Sequence, residues 1–512
     1  MTTSLITTAI PYVNARPHVG FAYELVLADV LARHRARRGH DARLLTGTDD
    51  NSLKNVTAAA REGLTPRALI DRNAAAFRAL GPLVGAQVDD FLETSRDPRH
   101  RPAVEWLWRA CAGDLYRRTW QGRYCAGCEA FVDDDIVRCP EHDTEPELIC
   151  EDNWFFRLSR WRAPIRDAIL SGRLDIASDA ARAETLAFLD GDVRDLCVSR
   201  DARRAHGWGI PVPGDPSQVI YVWFDALAYY VSSLGLGADE ALLDRYWRRG
   251  EQIQIIGKGV TRFHAVYWPA FLLSAGLPLP SRIAVHGYLT VDGEKISKSG
   301  RHVSVEPIVA QYGADALRWF FARRCRTRTD ADVSLPAIRD AYNADLVNRL
   351  GNLVQRLSGL ATRLTDGRVP SPVISSGDPS SGAPTSDPHA LASAQTLAEL
   401  AARIPDRVDR AIDAFLPDDA VAPILELLDA ANRALDQAAP WRLPPSDPAT
   451  AATLYAPLEA ARFAAGELSP FVPGVAATIA ARLGTADLSP VWGRLIPGTP
   501  LVLGPPPIPR LA

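Results

Sequence analysis

The first 48 residues restrict the fold more than any other stretch. "SLITTAI" (residues 4–10) is a short β-rich run that stops at Pro11. "HVGFAYELVLADVLARHRARRG" (18–39) carries a helical pattern, and "ARLLTGT" (42–48) is apolar and β-like again. Strand, helix and strand in this order predict a βαβ unit, the start of a doubly wound parallel sheet of the Rossmann type.

The alternation is interrupted and then resumes. Residues 115–213 have a different texture, with cysteines, tryptophans and scattered acids, and read as an insertion into the sheet domain. "VIYVWF", "QIQIIG" and "RIAVHGYLTV" are then buried-strand candidates, and "FHAVYWPAFLLSAG" a helix closed by Gly276. Beyond about residue 336 the strands stop. Leu346, Leu350, Leu353, Leu357, Leu360 and Leu364 share one helical face, and similar patterns run to about residue 470, so an all-α bundle is expected. Residues 367–389 are a Pro/Ser/Gly-rich loop or tether. The predicted division is 1–114 and 214–292 for the two halves of the sheet domain, 115–213 for the insertion, 293–335 for a loop region, 336–470 for the bundle and 471–512 for a Pro-rich tail.

A chain of 512 residues, 47% hydrophobic and 23% charged, is expected to form several domains. Its net charge of -4 argues against a general polycation, so nucleic-acid binding would need a local basic face. No apolar run of about eighteen residues suggests a membrane span. The start "MTTSLITTAI" has no basic leader, and a cytoplasmic protein without membrane attachment is expected.

Three motifs carry chemistry. In "PYVNARPHVGFAYE" a polar turn leads into a helix at His18, Val19 and Gly20, and a helix start offers unpaired N–H groups to a phosphate. "GEKISKSG" (293–300) holds Lys295 and Lys298, two of only four lysines in a chain with 57 Lys plus Arg. An ammonium is a compact charge on a flexible stem, suited to phosphates whose geometry changes during transfer, where a planar guanidinium demands fixed partners. "CAGCEAFVDDDIVRCPEH" supplies Cys125, Cys128, Cys139 and His142 at knuckle spacing for tetrahedral zinc. Four protein ligands leave no open position, so that zinc would be structural. Cys111, Cys150, Cys197 and Cys325 lack such partners and are expected to be buried thiols.

Seven segments, "TTAIPYVNARPHVG", "LLTGTDD", "YVWFDAL", "GKGVTRFHAVYWPAF", "VHGYLTVDGEKISKSG", "QYGADALRWF" and "NADLVNRLGNLVQR", occur in order and at about the spacing seen in class I methionyl-tRNA synthetases. The chain resembles that family from about residue 4 to residue 465. The resemblance implies a sheet domain that binds ATP, with magnesium, and methionine. His18 and Lys298, assisted by Lys295, would stabilise charge on the α-phosphate, with Gly20 and Gly257 also at the ATP site. Asp49 would pair with the α-ammonium, and Ile10, Tyr12, Trp223, Tyr230, Val260, His264 and Trp268 would surround the thioether. In the helical domain Asn352, Arg356 and Trp441, after Pro440, match residues that read the CAU anticodon of tRNA(Met), and a monomer is expected.

The chain also departs from the family pattern. "HVGF" puts Phe21 where a second histidine stands, "DDNS" puts Asn51 and Ser52 where His-Gly stands, "GKG" puts Gly259 where an aspartate stands, and Ile296 replaces a methionine. The alterations fall on the ATP side while the amino-acid side is intact. Two enzyme readings follow: a methionine-tRNA ligase, or a synthetase-like biosynthetic enzyme that passes an activated amino acid to a small hydroxyl or hydroxylamine acceptor. Retention of His18, Lys295 and Lys298 disfavours a third, a catalytically dead RNA-binding relative.

Overall fold

The computed structural model describes residues 2–125, 130–132, 135–139, 143–296, 303–372, 388–443 and 448–512. They divide into two compact units, residues 1–82 with 86–286 and residues 83–85 with 287–512.

The first unit is built on a six-stranded sheet. In spatial order its strands are Asp90–Glu93, Asp41–Thr48, Thr3–Thr8, Glu251–Gly257, Arg282–His286 and Asp175–Ile176. Every neighbouring pair is parallel. The βαβ expectation holds, with Val19–Arg37 as the crossover helix. The strand order reverses at Thr3–Thr8, whose two neighbours come from opposite ends of the unit. In an open α/β sheet the crevice beyond the carboxyl ends of such strands is where a ligand sits. Gly47 is required by close approach, since a Cβ there would lie 2.1 Å from the Leu92 carbonyl oxygen on the next strand.

Residues 115–213 are not separate from this unit. Asp175–Ile176 supplies the edge strand of the main sheet. A second sheet pairs Leu115–Cys125 antiparallel with Glu147–Phe156. The expected strand "VIYVWF" is half correct: the strand Asp215–Ile220 ends before Tyr221, and Val222–Leu227 is helical. A short apolar run cannot itself distinguish the two states. "RIAVHGYLTV" likewise splits, with Leu289–Val291 joining a small sheet of the second unit. The core gathers Leu5, Phe156, Phe224, Tyr229, Trp247, Trp268 and Phe271. Cys111, Cys197 and Cys325 are buried as expected, but Cys150 is exposed. Strand alternation explains the correction: Ile149 takes the inward face of Glu147–Phe156, so Cys150 turns outward.

The second unit opens on a hairpin in which Thr290 pairs with Lys295 and Val291 with Glu294. Its two turn residues, Asp292 and Gly293, both have positive φ (54° and 78°). That is the backbone a two-residue Asp-Gly turn adopts to match strand twist. Lys298 lies outside the described residues, and of Lys295 only the backbone is described. The leucine stripe is real: Leu346, Leu350, Leu353 and Leu357 are fully buried along Asn343–Gly351 and Asn352–Leu364. Helices Pro388–Asp413, Pro417–Ala438 and Tyr455–Leu468 complete the bundle.

Residues 471–512, expected as a Pro-rich tail, carry the helix Pro473–Arg482 and then fold back over the bundle. Buried Arg462 donates to the carbonyls of Asp487, Ser489 and Val491. Leu511 and Asn343 exchange two hydrogen bonds, at 2.9 and 3.0 Å. Proline-rich segments lack regular internal bonding, so this one is held through helix side chains and through backbone bonds, among them those from the Gly498, Leu501 and Val502 N–H groups to the carbonyls of Val369, Gly367 and Arg482.

Candidate active site

His18 is the N-cap of Val19–Arg37, and its Nδ1 accepts a hydrogen bond from the Gly20 N–H at 3.1 Å. With Nδ1 accepting, the neutral ring carries its proton on Nε2, a donor of the kind that suits an anion at a helix start. Gly20 has a specific role here, because a Cβ would stand 2.9 Å from His18 Cε1. Gly257 ends the strand Glu251–Gly257, and a Cβ there would lie 3.5 Å from the His286 ring. Glu24 bridges the same edge, accepting from the Ala9 N–H at 2.9 Å and facing His286 Nε2 at 3.0 Å.

Tyr12 and Asp49 form a parallel bridge just past the ends of their strands, and the Asp49 N–H donates to the Pro11 carbonyl. Asp49 is 1% exposed. Asn55 donates to the carbonyls of Asp49 and Asp50, and the Trp208 indole N–H to that of Asp50, so the turn is fixed from two sides. Burial pushes the Asp50 carboxyl up to about 6, against the opposing hydrogen bonds from Ser95.

Tyr12 connects this turn to a group of uncharged side chains through Trp223. The Tyr230 hydroxyl lies 2.7 Å from His264 Nε2, and His264 Nδ1 lies 2.9 Å from the Val260 carbonyl. A carbonyl only accepts, so Nδ1 carries the proton and Nε2 accepts from the tyrosine. Burial lowers the His264 pKa to about 4, with the Val260 carbonyl opposing, and burial raises that of Tyr230 well above its ordinary value. Trp223 stacks on Phe263 (centroids 3.7 Å, 13°), and Tyr12 meets Trp223 edge-on at 6.1 Å. Trp268 is fully buried behind Tyr230, with ring centroids 5.8 Å apart. Ile10 and Val260 are half-buried and pack against the same core. Aromatic edges and neutral hydrogen-bonding groups suit a polarisable sulfur rather than a charged side chain.

The family model for class I tRNA synthetases (M) matches residues 4–147 and 138–358. The chain belongs to the methionine group of class I tRNA synthetases. It is 38% identical to the methionine–tRNA ligase of Brucella suis biovar 1 over 91% of this chain and 89% of that protein. With the corresponding ligase of Thermosynechococcus vestitus it shares 37% identity, over 94% and 89%. The solved Mycobacterium tuberculosis methionyl-tRNA synthetase in complex with methionyl-adenylate superposes with a TM-score of 0.91 at 35% identity, covering the whole of both chains.

Several residues of this synthetase's site had no clear sequence signal. Phe263 adjoins His264 in the "TRFHAVYW" segment and could have been included from its neighbour alone. The Lys54 ammonium lies 4.7 Å from the centre of the Tyr12 ring. Asn51, a departure from the family pattern, donates to Asp225 Oδ2 at 2.7 Å. The other Asp225 oxygen lies 2.6 Å from His100 Nε2, and His100 Nδ1 lies 2.8 Å from the Ser232 hydroxyl. Ser52 caps the helix Leu53–Arg61 by accepting from the Lys54 N–H, which glycine could not do through a side chain. Lys258 and Gly259 are exposed in the turn after Gly257.

In the second unit Asn352 and Arg356 are exposed on one helix, four residues apart. The Arg356 guanidinium donates to Asp436 at 2.6 Å and stands 5.5 Å from the Trp441 ring centre. Trp441 is 38% exposed on the turn Pro440–Arg442, whose Pro440 is buried. The three exposed residues thus offer hydrogen-bonding and stacking groups of the kind single-stranded bases accept.

For the zinc knuckle, Cys128 and His142 lie outside the described residues. Cys125 and Cys139 are both buried and share a neighbour: the Cys139 N–H donates to the Thr144 carbonyl, and Cys125 Sγ lies 3.8 Å from the Thr144 hydroxyl. Among the described residues no group of three metal-ligating side chains occurs. Among them, too, no helix is long and apolar enough to cross a membrane.

Proposed function

We infer that this chain activates methionine with ATP and transfers the methionyl group to the 3′ end of tRNA(Met). The observation that carries this reading is the run of contacts from the buried Asp49 through its bridge partner Tyr12 to the Trp223–Phe263 stack, which adjoins the neutral Tyr230–His264 pair in sequence at His264. A carboxylate for an α-ammonium next to an uncharged aromatic pocket fits an amino acid with an apolar, sulfur-bearing side chain. The relatives, matched over about nine-tenths of the chain, are methionine–tRNA ligases.

In the first step a methionine carboxylate oxygen attacks the α-phosphorus of ATP, supplied as its magnesium complex. The bond to the bridging oxygen breaks, and pyrophosphate leaves. His18, through Nε2–H, and the ammonium groups of Lys298 and Lys295 supply charge stabilisation to the phosphates, with Gly20 and Gly257 allowing the nucleotide close to the backbone. Asp49 holds the α-ammonium. Ile10, Tyr12, Trp223, Tyr230, Val260, His264 and Trp268 enclose the side chain. In the second step a hydroxyl of the terminal ribose attacks the acyl carbon and AMP leaves. The protein contributes position and electrostatics, with no covalent intermediate on the chain. Asn352, Arg356 and Trp441, following Pro440, read the anticodon, and Asp436 must yield Arg356 for that to happen.

The test is pyrophosphate exchange with each amino acid, followed by charging of initiator and elongator methionine tRNAs. Methionine-dependent exchange and acylation of both tRNAs are expected. Exchange without acylation would instead favour a small-molecule acceptor, a reading to which none of these relatives lends support.

Cys125, Cys128, Cys139 and His142 fit a structural zinc, which would cross-link the segment between the strands Leu115–Cys125 and Glu147–Phe156. Cys139→Ser should lower zinc content from about one per chain to near zero and reduce thermal stability. Unchanged zinc by metal analysis would rule the knuckle out.

A further inference from the structure

We propose that Phe21 is a positioning residue for His18, holding the imidazole so that its Nε2–H faces the α-phosphate. The proposal rests on the reading of His18 as a phosphate donor. The two rings lie 4.3 Å apart at 30°, so the phenyl group covers one face of the imidazole. The Gly20 N–H holds Nδ1, and the missing Cβ of Gly20 lets the ring lie close to the backbone. One ring edge and one ring face are thereby fixed, which sets the direction in which Nε2 points.

Phe21 is itself braced. It meets Phe77 edge-on at 5.1 Å (74°). It packs against a small core of Val13, Ile70, Ala74 and Phe77, three of which come from one face of the helix Pro66–Leu83. Trp208, which also packs there, donates to the Asp50 carbonyl, so the same cluster touches the turn that carries Asp49. The niche offers apolar surface to residue 21. An imidazole placed in it would bring polar nitrogens into apolar surroundings, which is unfavourable unless each finds a partner. The departure from the family pattern at this position is therefore a repacked support rather than a lost contact.

The experiment is a double-mutant cycle read by methionine-dependent pyrophosphate exchange. Phe21→Ala should lower kcat about tenfold, the scale expected for a misplaced catalytic group, while the KM for methionine stays within about twofold. Phe21→Leu, which preserves most of the volume, should fall between Phe21→Ala and the parent and secures the result if Phe21→Ala folds poorly. Phe21→His should be slower than the parent. In a His18→Ala background none of the three substitutions should have a further effect on kcat, because the phenyl ring acts only through the imidazole. Equal losses in both backgrounds, or a Phe21→His variant as fast as the parent, would overturn the proposal. A His18→Ala enzyme that exchanges normally would instead overturn the reading of His18 on which the proposal stands.

Discussion

Glu459→Ala should destabilise the helical unit by about 3–5 kcal/mol, read as a lower midpoint in denaturant unfolding followed by circular dichroism. Glu459 and Arg462 are both fully buried. One Glu459 oxygen accepts from Arg462 Nε and Nη2 and from the N–H groups of Gly493 and Arg494, and the other accepts from the Leu495 N–H. Removing the carboxylate leaves an interior cation without its counter-charge and three backbone donors without their acceptor. Its partner still faces the carbonyls of Asp487, Ser489 and Val491, so the damage should spread along residues 487–495. A Glu459→Leu/Arg462→Met double variant should recover part of the loss, since an apolar pair avoids the desolvation of both ions. A double variant as unstable as Glu459→Ala would show that the carbonyls and N–H groups dominate the effect.

His18→Ala should reduce pyrophosphate exchange by about a hundredfold or more, the range found when a preorganised donor to a developing charge is removed. It should also cost about 1 kcal/mol of stability, because the side chain caps the helix Val19–Arg37. His18→Asn separates the two effects. An asparagine can restore the cap through its carbonyl oxygen but does not place a ring N–H at the same point, so the stability should return while the rate stays low. A fast His18→Asn enzyme would mean that the cap alone matters to catalysis.

Much of this architecture could be read from local pattern. The βαβ start and the leucine stripe depend on residues close in sequence, and each appears where its periodicity places it. The residues proposed to line the pocket come from family likeness rather than periodicity, because Trp268 buried in a core and Trp268 lining a ligand site have the same neighbours in sequence. Elements whose form depends on distant partners were missed. Nothing near Asn51 announces Asp225, which lies 174 residues away. Residues 471–512 looked like a loose tail because composition registers prolines but not the buried ion pair that gathers their carbonyls. "VIYVWF" misled because the switch happens within one residue: the Tyr221 N–H still extends the ladder to the Val198 carbonyl, while the Tyr221 carbonyl already accepts from the Phe224 and Asp225 N–H groups and starts the helix.

The hydrogen-bond chain from Tyr230 through His264 to the Val260 carbonyl runs in one direction, and its Tyr230 link reverses only if the imidazole takes a second proton. With that event displaced to about pH 4, the Tyr230–His264 pair keeps its polarity across the whole range in which a cell lives. Under the reading proposed for this pocket, its choice of side chain should therefore not change with moderate acidification.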